Sequence, residues 1–123
     1  MILVVDDDKD VRSTIARALT ALGYPVREAA DGPAALALVK DERPALVILD
    51  YVMPGMDGAE VALAIAAIDP NLPIVFSTGH AALRALRAAA GETVTVLEKP
   101  FTLDELDQLL RQRLAEARRA RAS

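Results

Sequence analysis

Ala45-Leu46-Val47-Ile48-Leu49-Asp50-Tyr51-Val52-Met53-Pro54-Gly55-Met56-Asp57-Gly58 decides the fold of this chain. Five apolar residues, 45–49, run without a polar break into a carboxylate. A continuous apolar run of this length reads as a strand covered on both faces. A turn-rich loop follows at once. Asp50 then stands at the carboxyl end of a buried strand, and in open parallel sheets that edge is where ligands bind. Taken alone, Asp50 reads equally well as the residue that opens the turn.

Outward from this strand the chain alternates. Residues 2–5 are a short apolar, β-branched run ending in Asp6-Asp7-Asp8. The spacing of Val11, Ile15, Leu19 and Leu22 predicts a helix over 9–22, with Asp8 as N-cap and Gly23 as stop. A weaker strand is expected over 26–29. Asp31-Gly32-Pro33 opens a second helix with proline in its first turn. Leu36 and Val39 mark its buried side, and Glu42-Arg43-Pro44 ends it. Beyond the central loop, Val61, Ile65 and Ile68 predict a third helix over 59–68, broken by residues 69–73. A fourth strand, 74–77, runs out in Thr78-Gly79-His80, with His80 read as a loop residue. A short alanine-rich helix is expected over 81–90. Gly91 precedes a fifth strand over 94–97 that ends in Glu98-Lys99-Pro100-Phe101. Thr102 and Glu105 have capping-box spacing. The helix after them carries Leu103, Leu106, Leu110 and Leu114 on one face and is expected to fray over 115–123.

Strand-helix alternation of this kind predicts an α/β fold. The expected form is one doubly wound, five-stranded parallel sheet in the order 2-1-3-4-5 with five helices, a single domain over 1–123. The 123 residues, 53% hydrophobic and 26% charged, suffice for a core of that size. A net charge of -4 gives no general affinity for nucleic acid or anionic membrane. The absence of cysteine excludes disulfides, thiol catalysis and zinc-thiolate sites, and a reducing cytoplasm fits it. No apolar run approaches the roughly 20 residues of a membrane span, and the first residues lack the basic region of a signal peptide.

Four strands end in a residue with a chemical handle: Asp6 and Asp7, Asp50, Thr78, and Lys99. In the order 2-1-3-4-5 those four strands adjoin one another, so the handles converge at the carboxyl edge. Three carboxylates in close range repel and do not all ionise unaided. A divalent cation resolves this, and an all-oxygen set suits Mg²⁺, which keeps waters and often pairs with phosphate. Lys99 adds a fixed positive charge and Thr78 a hydroxyl. Together they meet the needs of a phosphoryl group, and a carboxylate can itself act as nucleophile toward phosphorus. Each piece has a plainer reading. The Asp6-Asp7-Asp8 run could simply favour a helix start. Thr78 could be an ordinary strand end, and Lys99 a solvated lysine. The convergence at four strand ends favours the site.

With these residues in place the chain resembles a bacterial response-regulator receiver domain, similar to the chemotaxis regulators, over essentially its whole length. The marks are Val5-Asp6-Asp7, Asp50 followed by Met53-Pro54-Gly55-Met56-Asp57-Gly58, Pro73 then Thr78, and Lys99-Pro100-Phe101. The resemblance implies a flavodoxin-like fold with Asp50 as acceptor of a phosphoryl group from a phosphohistidine. It implies Mg²⁺ held by Asp6, Asp7, Asp50 and the Val52 carbonyl, with Asp6 acting largely through water. Thr78 becomes the switch hydroxyl, Lys99 the phosphate-binding lysine, and Lys99-Pro100 a cis bond. Side chains at Val52 and His80 would flank the path of an attacking water. The implied partners are a sensor histidine kinase or histidine phosphotransfer protein and a downstream protein. Neither nucleic acid nor membrane is expected, and the chain is expected to be a cytoplasmic monomer or weak dimer. It would catalyse only its own phosphorylation and dephosphorylation, without conventional turnover. The chain departs from the pattern at Val96, where many receivers carry an aromatic. The segment from Thr78 to Lys99 is also about one residue short. A phosphohydrolase using an aspartate nucleophile is disfavoured, because its second aspartate would fall at Val52. A flavodoxin-type cofactor carrier is disfavoured by the lack of a glycine-rich loop after the first strand.

Overall fold

The computed structural model of the protein describes residues 1–122. Within them, β1 (Ile2–Val5), β2 (Val26–Ala29), β3 (Leu46–Asp50), β4 (Ile74–Gly79) and β5 (Thr95–Lys99) alternate with α1 (Lys9–Ala21), α2 (Gly32–Glu42), α3 (Gly58–Ile68), α4 (His80–Ala90) and α5 (Leu103–Ala122). The strands form one sheet in the order β2-β1-β3-β4-β5, every adjacent pair parallel. β3 is central and every one of its residues is buried, as its unbroken apolar run requires.

Alternation along β1 divides the core into two layers. Leu3 and Val5 pack with Val39 of α2, Val61 and Ile65 of α3, and Leu86 of α4 on one face. Ile2 and Val4 pack with Ile15 and Leu19 of α1 and with Leu106 and Leu110 of α5 on the other. Each such side chain contributes roughly 1.5–3 kcal/mol by leaving water. Because both faces are covered, the polar side chains of β1, β3 and β4 lie at or just past the carboxyl ends of those strands.

Departures from the sequence reading lie at the ends of elements. α1 stops at Ala21: Leu22 N–H bonds the Ala18 carbonyl, and Gly23 takes φ +94°. α2 ends where Glu42-Arg43-Pro44 was expected to end it, with Arg43 in the left-handed region at φ 50°. β4 and β5 each run two residues further than expected, through the pairs Thr78↔Glu98 and Gly79↔Lys99. Backbone pairing does not require apolar side chains, so the polar ends of the two strands stay in the sheet. His80 is the first residue of α4 rather than part of a loop. α3 starts with a capping box that the sequence reading passed over: Asp57 accepts from Glu60 N–H at 2.9 Å, and Glu60 accepts from Asp57 N–H at 3.4 Å. At α5, Thr102 accepts from Glu105 N–H at 3.1 Å, while its hydroxyl donates to the Glu105 carboxylate at 3.2 Å. α5 continues as helix to Ala122, with Arg121 3.6 Å from Asp69; Ser123 of the expected frayed tail lies outside the described residues. Lys99-Pro100 is cis. Among the described residues no helix is long and apolar enough to cross a membrane.

Candidate functional site

Parallel pairing brings the carboxyl ends of the strands to one edge. Val5 lies opposite Leu49, so Asp6 and Asp50 leave β1 and β3 side by side. Asp50 is in register with Ser77, and Gly79 with Lys99. One oxygen from each of Asp6, Asp7 and Asp50 lies within 4.8 Å of the other two. Lys99 Nζ bridges two of these carboxylates, 3.2 Å from Asp6 Oδ2 and 3.4 Å from Asp50 Oδ1. Asp6 and Asp50 are buried and Asp7 is exposed.

Burial, and after it the charge of Asp6, pushes the Asp50 carboxyl up to about 6; Lys99 pulls it back and Asp7 adds to the rise. One ammonium therefore does not balance the crowded carboxylates. The donors that face one another are all oxygens, and a hard divalent cation would supply the missing charge. The residues present fit such an ion, with Asp6, Asp7 and Asp50 as the groups that could hold it.

Local chemistry holds these side chains in place. Asp6 Oδ1 accepts from Asp8 N–H at 2.9 Å, and Asp6 N–H bonds the Ala29 carbonyl at 3.2 Å. Asp8 caps α1 by accepting from Asp10 and Val11 N–H. On the β3 side, Gly58 N–H bonds the Tyr51 carbonyl at 2.8 Å. A β-carbon at Gly58 would sit 2.5 Å from the Asp50 carbonyl oxygen and 2.7 Å from Tyr51 Cα. Glycine alone lets α3 begin against the backbone of Asp50, which gives Gly58 of the decisive stretch a steric reason.

The remaining expected residues are placed as follows. Thr78 is buried near the end of β4. Val52 lies in the loop after β3 and is 60% exposed. His80 is tied by Nδ1 to Glu98 Oε1 at 2.9 Å, so its ring is engaged with β5. The Tyr51 hydroxyl donates to the Ala85 carbonyl of α4 at 3.4 Å. Sequence reasoning missed Arg12, which donates from Nη1 to the Asp6 carbonyl at 2.8 Å and from Nε to Glu28 Oε1 at 3.1 Å. In the sequence Arg12 is one more polar residue of an amphipathic helix. The available signal was an arginine placed one helical turn after an acidic turn. Beside the acidic group, an apolar trough of about 380 Å³ opens between α1 and the β5–α5 connection, with Val11, Thr14, Phe101 and Leu106 in its walls.

Known proteins share this architecture. The response regulator receiver domain family matches residues 2–111. Response regulator MprA of Mycolicibacterium vanbaalenii is 41% identical over 109 residues, covering 85% of this chain and 46% of that protein. The chain thus spans about half the length of the curated relatives it matches. The receiver domain of NtrX from Brucella abortus superposes with a TM-score of 0.87 at 35% identity, covering 94% of this chain and 98% of the other. Chemotaxis protein CheY4 of Vibrio cholerae gives 0.78 at 30% identity, covering 90% and 95%. A shared order of strands, a family match across nearly the whole chain and an acidic group at the sheet's carboxyl edge lead to one conclusion: this chain belongs to the response regulator receiver domain family.

Proposed function

We propose that residues 1–123 form a single phosphoacceptor unit. It takes a phosphoryl group from a phosphohistidine onto Asp50 and signals to, or passes the group to, a protein partner. The donor is a sensor histidine kinase or a histidine phosphotransfer protein. The observation that carries this reading is the Asp6–Asp7–Asp50 group with Lys99 set across two of its members.

In the proposed reaction an Asp50 carboxylate oxygen attacks phosphorus in line with the donor imidazole. The new P–O bond forms as the P–N bond breaks, and the bonding pair returns to the ring nitrogen. Asp6, Asp7, Asp50 and the Val52 carbonyl would hold Mg²⁺, which supplies charge neutralisation to the phosphoryl oxygens when bound. Lys99 leaves its bridge between carboxylates to meet a phosphoryl oxygen, and the Thr78 hydroxyl donates to another. In hydrolysis a water attacks phosphorus, the P–O bond to Asp50 breaks, and the carboxylate is restored as phosphate leaves. The unit acts on itself and is not a turnover enzyme. The partner's phosphohistidine helix docks in the trough beside Val11, Thr14 and Phe101. Neither nucleic acid nor membrane is a partner of this unit, which is a cytoplasmic monomer or weak dimer.

Incubation with acetyl phosphate and Mg²⁺ is expected to add one acid-labile phosphoryl group by mass. Asp50→Ala and omission of Mg²⁺ should each abolish it. No mass increase in the parent chain with acetyl phosphate or a competent kinase overturns the reading.

A further inference from the structure

We propose that Arg12 is a positioning residue for the metal end of the acidic group: it pins the Asp6 carbonyl, and through that peptide the orientation of Asp7, with Glu28 as its anchor. The inference rests on the phosphoacceptor reading and goes beyond it by giving a task to a residue outside the acidic group.

Asp7 is exposed, so packing does not orient its side chain; the backbone that carries it does. The Asp6 carbonyl and the Asp7 N–H belong to one planar peptide. Arg12 Nη1 holds that carbonyl at 2.8 Å. The N–H on the other side of Asp6 is bonded to Ala29 of β2 at 3.2 Å. Asp6 is therefore tied at both of its peptides, and the turn into Asp7 starts from a fixed plane.

Arg12 can act as a brace because its own side chain is held. It is 15% exposed, and its Nε is 3.1 Å from Glu28 on β2, where Glu28 lies opposite Val4 of β1. A guanidinium offers several donors in a rigid planar fork, so one group reaches both a carbonyl and a carboxylate; an ammonium lacks that geometry. The pairing also balances charge. Arg12 and Glu28 together add no net charge beside the site where a cation would sit.

That balance separates positioning from electrostatics. Removing Arg12 deletes a positive charge, so electrostatics alone predicts tighter Mg²⁺ binding in Arg12→Ala. Positioning predicts weaker binding. We expect Arg12→Ala to raise the Mg²⁺ dissociation constant about tenfold, as is common when a group that orients a ligand is removed. The constant is read from amide NMR shifts during a Mg²⁺ titration. Acetyl phosphate labelling at saturating Mg²⁺ should return to within about twofold of the parent, since only ion binding is impaired. Arg12→Lys should fall between the two.

Glu28→Ala and Glu28→Gln provide the control. They change charge equally, but glutamine keeps an acceptor for Arg12 Nε. Glu28→Gln should bind Mg²⁺ like the parent and Glu28→Ala more weakly. Should Arg12→Ala not fold, Arg12→Lys and the Glu28 pair carry the test. Unchanged or tighter Mg²⁺ binding in Arg12→Ala, even with a lowered melting temperature in chelator, overturns the proposal and leaves Arg12 a structural brace. So does equal weakening in the two Glu28 variants. A parent chain that binds no Mg²⁺ overturns the phosphoacceptor reading itself, and this inference with it.

Discussion

Asp50 illustrates how burial turns one carboxylate into a stability term. Its pKa is raised to about 6, chiefly by burial and then by Asp6, against about 3.9 in an unfolded chain. The folded state thus binds the Asp50 proton more tightly than the unfolded one. Its contribution is fully present below about pH 4 and is lost as pH rises through about 6. In chelator, unfolding free energy should fall by roughly 2–3 kcal/mol from this group across that window. Asp50→Asn carries no such proton and should lose that slope, emerging more stable than the parent at pH 7. Denaturant midpoints at pH 4.5 and 7.5 check this; equal slopes for the two proteins would mean that Asp50 ionises as in water. Gly58 is the second residue on which the site's geometry turns. A methyl there meets backbone atoms of Asp50 and Tyr51, which cannot rotate aside. Gly58→Ala should cost roughly 1–3 kcal/mol by overpacking and should displace the Asp50 amide resonance. A parent-like melting curve and spectrum would show that α3 tolerates the shift.

Elements differ in how firmly they are held. α3 opens with a reciprocal capping box and buries Gly58, Ala59, Val61 and Ile65. α4 opens on Gly79 without a side-chain cap and buries only Leu86. Its other ties run to neighbouring segments: His80 to Glu98 of β5, the Ala85 carbonyl to the Tyr51 hydroxyl, and Arg87 to the Glu92 carbonyl. Few buried contacts mean a low free energy of local opening. Amide hydrogen exchange in α4 should therefore outpace that in α3 when exchange is read by NMR under native conditions. Matching protection in the two helices would contradict this ranking. The pattern bears on signalling because Tyr51 adjoins Asp50 in sequence. On the proposed reading of Asp50 as acceptor, α4 is thus the loosely held element with a direct contact to its neighbour in sequence.

Across the whole molecule, the parallel order β2-β1-β3-β4-β5 sets the acidic group beside the trough between α1 and α5. On the proposed reading, a partner delivering a phosphoryl group along the strand axis would meet that rim, whereas a small donor would need only the carboxylates. Thr14 lines the trough and its hydroxyl bonds the Asp10 carbonyl of its own helix at 2.8 Å. It is exposed, so replacement there leaves the core intact. Thr14→Arg should slow transfer from the cognate kinase about tenfold, which corresponds to roughly 1.4 kcal/mol in barrier. Labelling by acetyl phosphate should stay near the parent rate. Equal slowing with both donors would place the docking surface elsewhere.

The two-sided strand ending in Asp50, the alternation of elements, their order in the sheet and the meeting of Asp6, Asp7, Asp50 and Lys99 at one edge were legible in the sequence. Periodicity reports burial directly, and a parallel sheet must end its strands at one edge. Element ends were less legible. The last residues of β4 and β5 are held by backbone pairing, which side-chain polarity does not record. Away from that edge, only the tertiary structure decided which polar groups meet. Arg12 and Glu28, 16 residues apart, become partners because α1 and β2 both flank β1. His80 and Glu98, 18 apart, meet because β4 and β5 pair beyond their apolar runs. The raised pKa of Asp50 has the same origin: it depends on burial and on charges brought from other strands. Local sequence sets the periodicity of each element, while distances between elements exist only once the chain has packed.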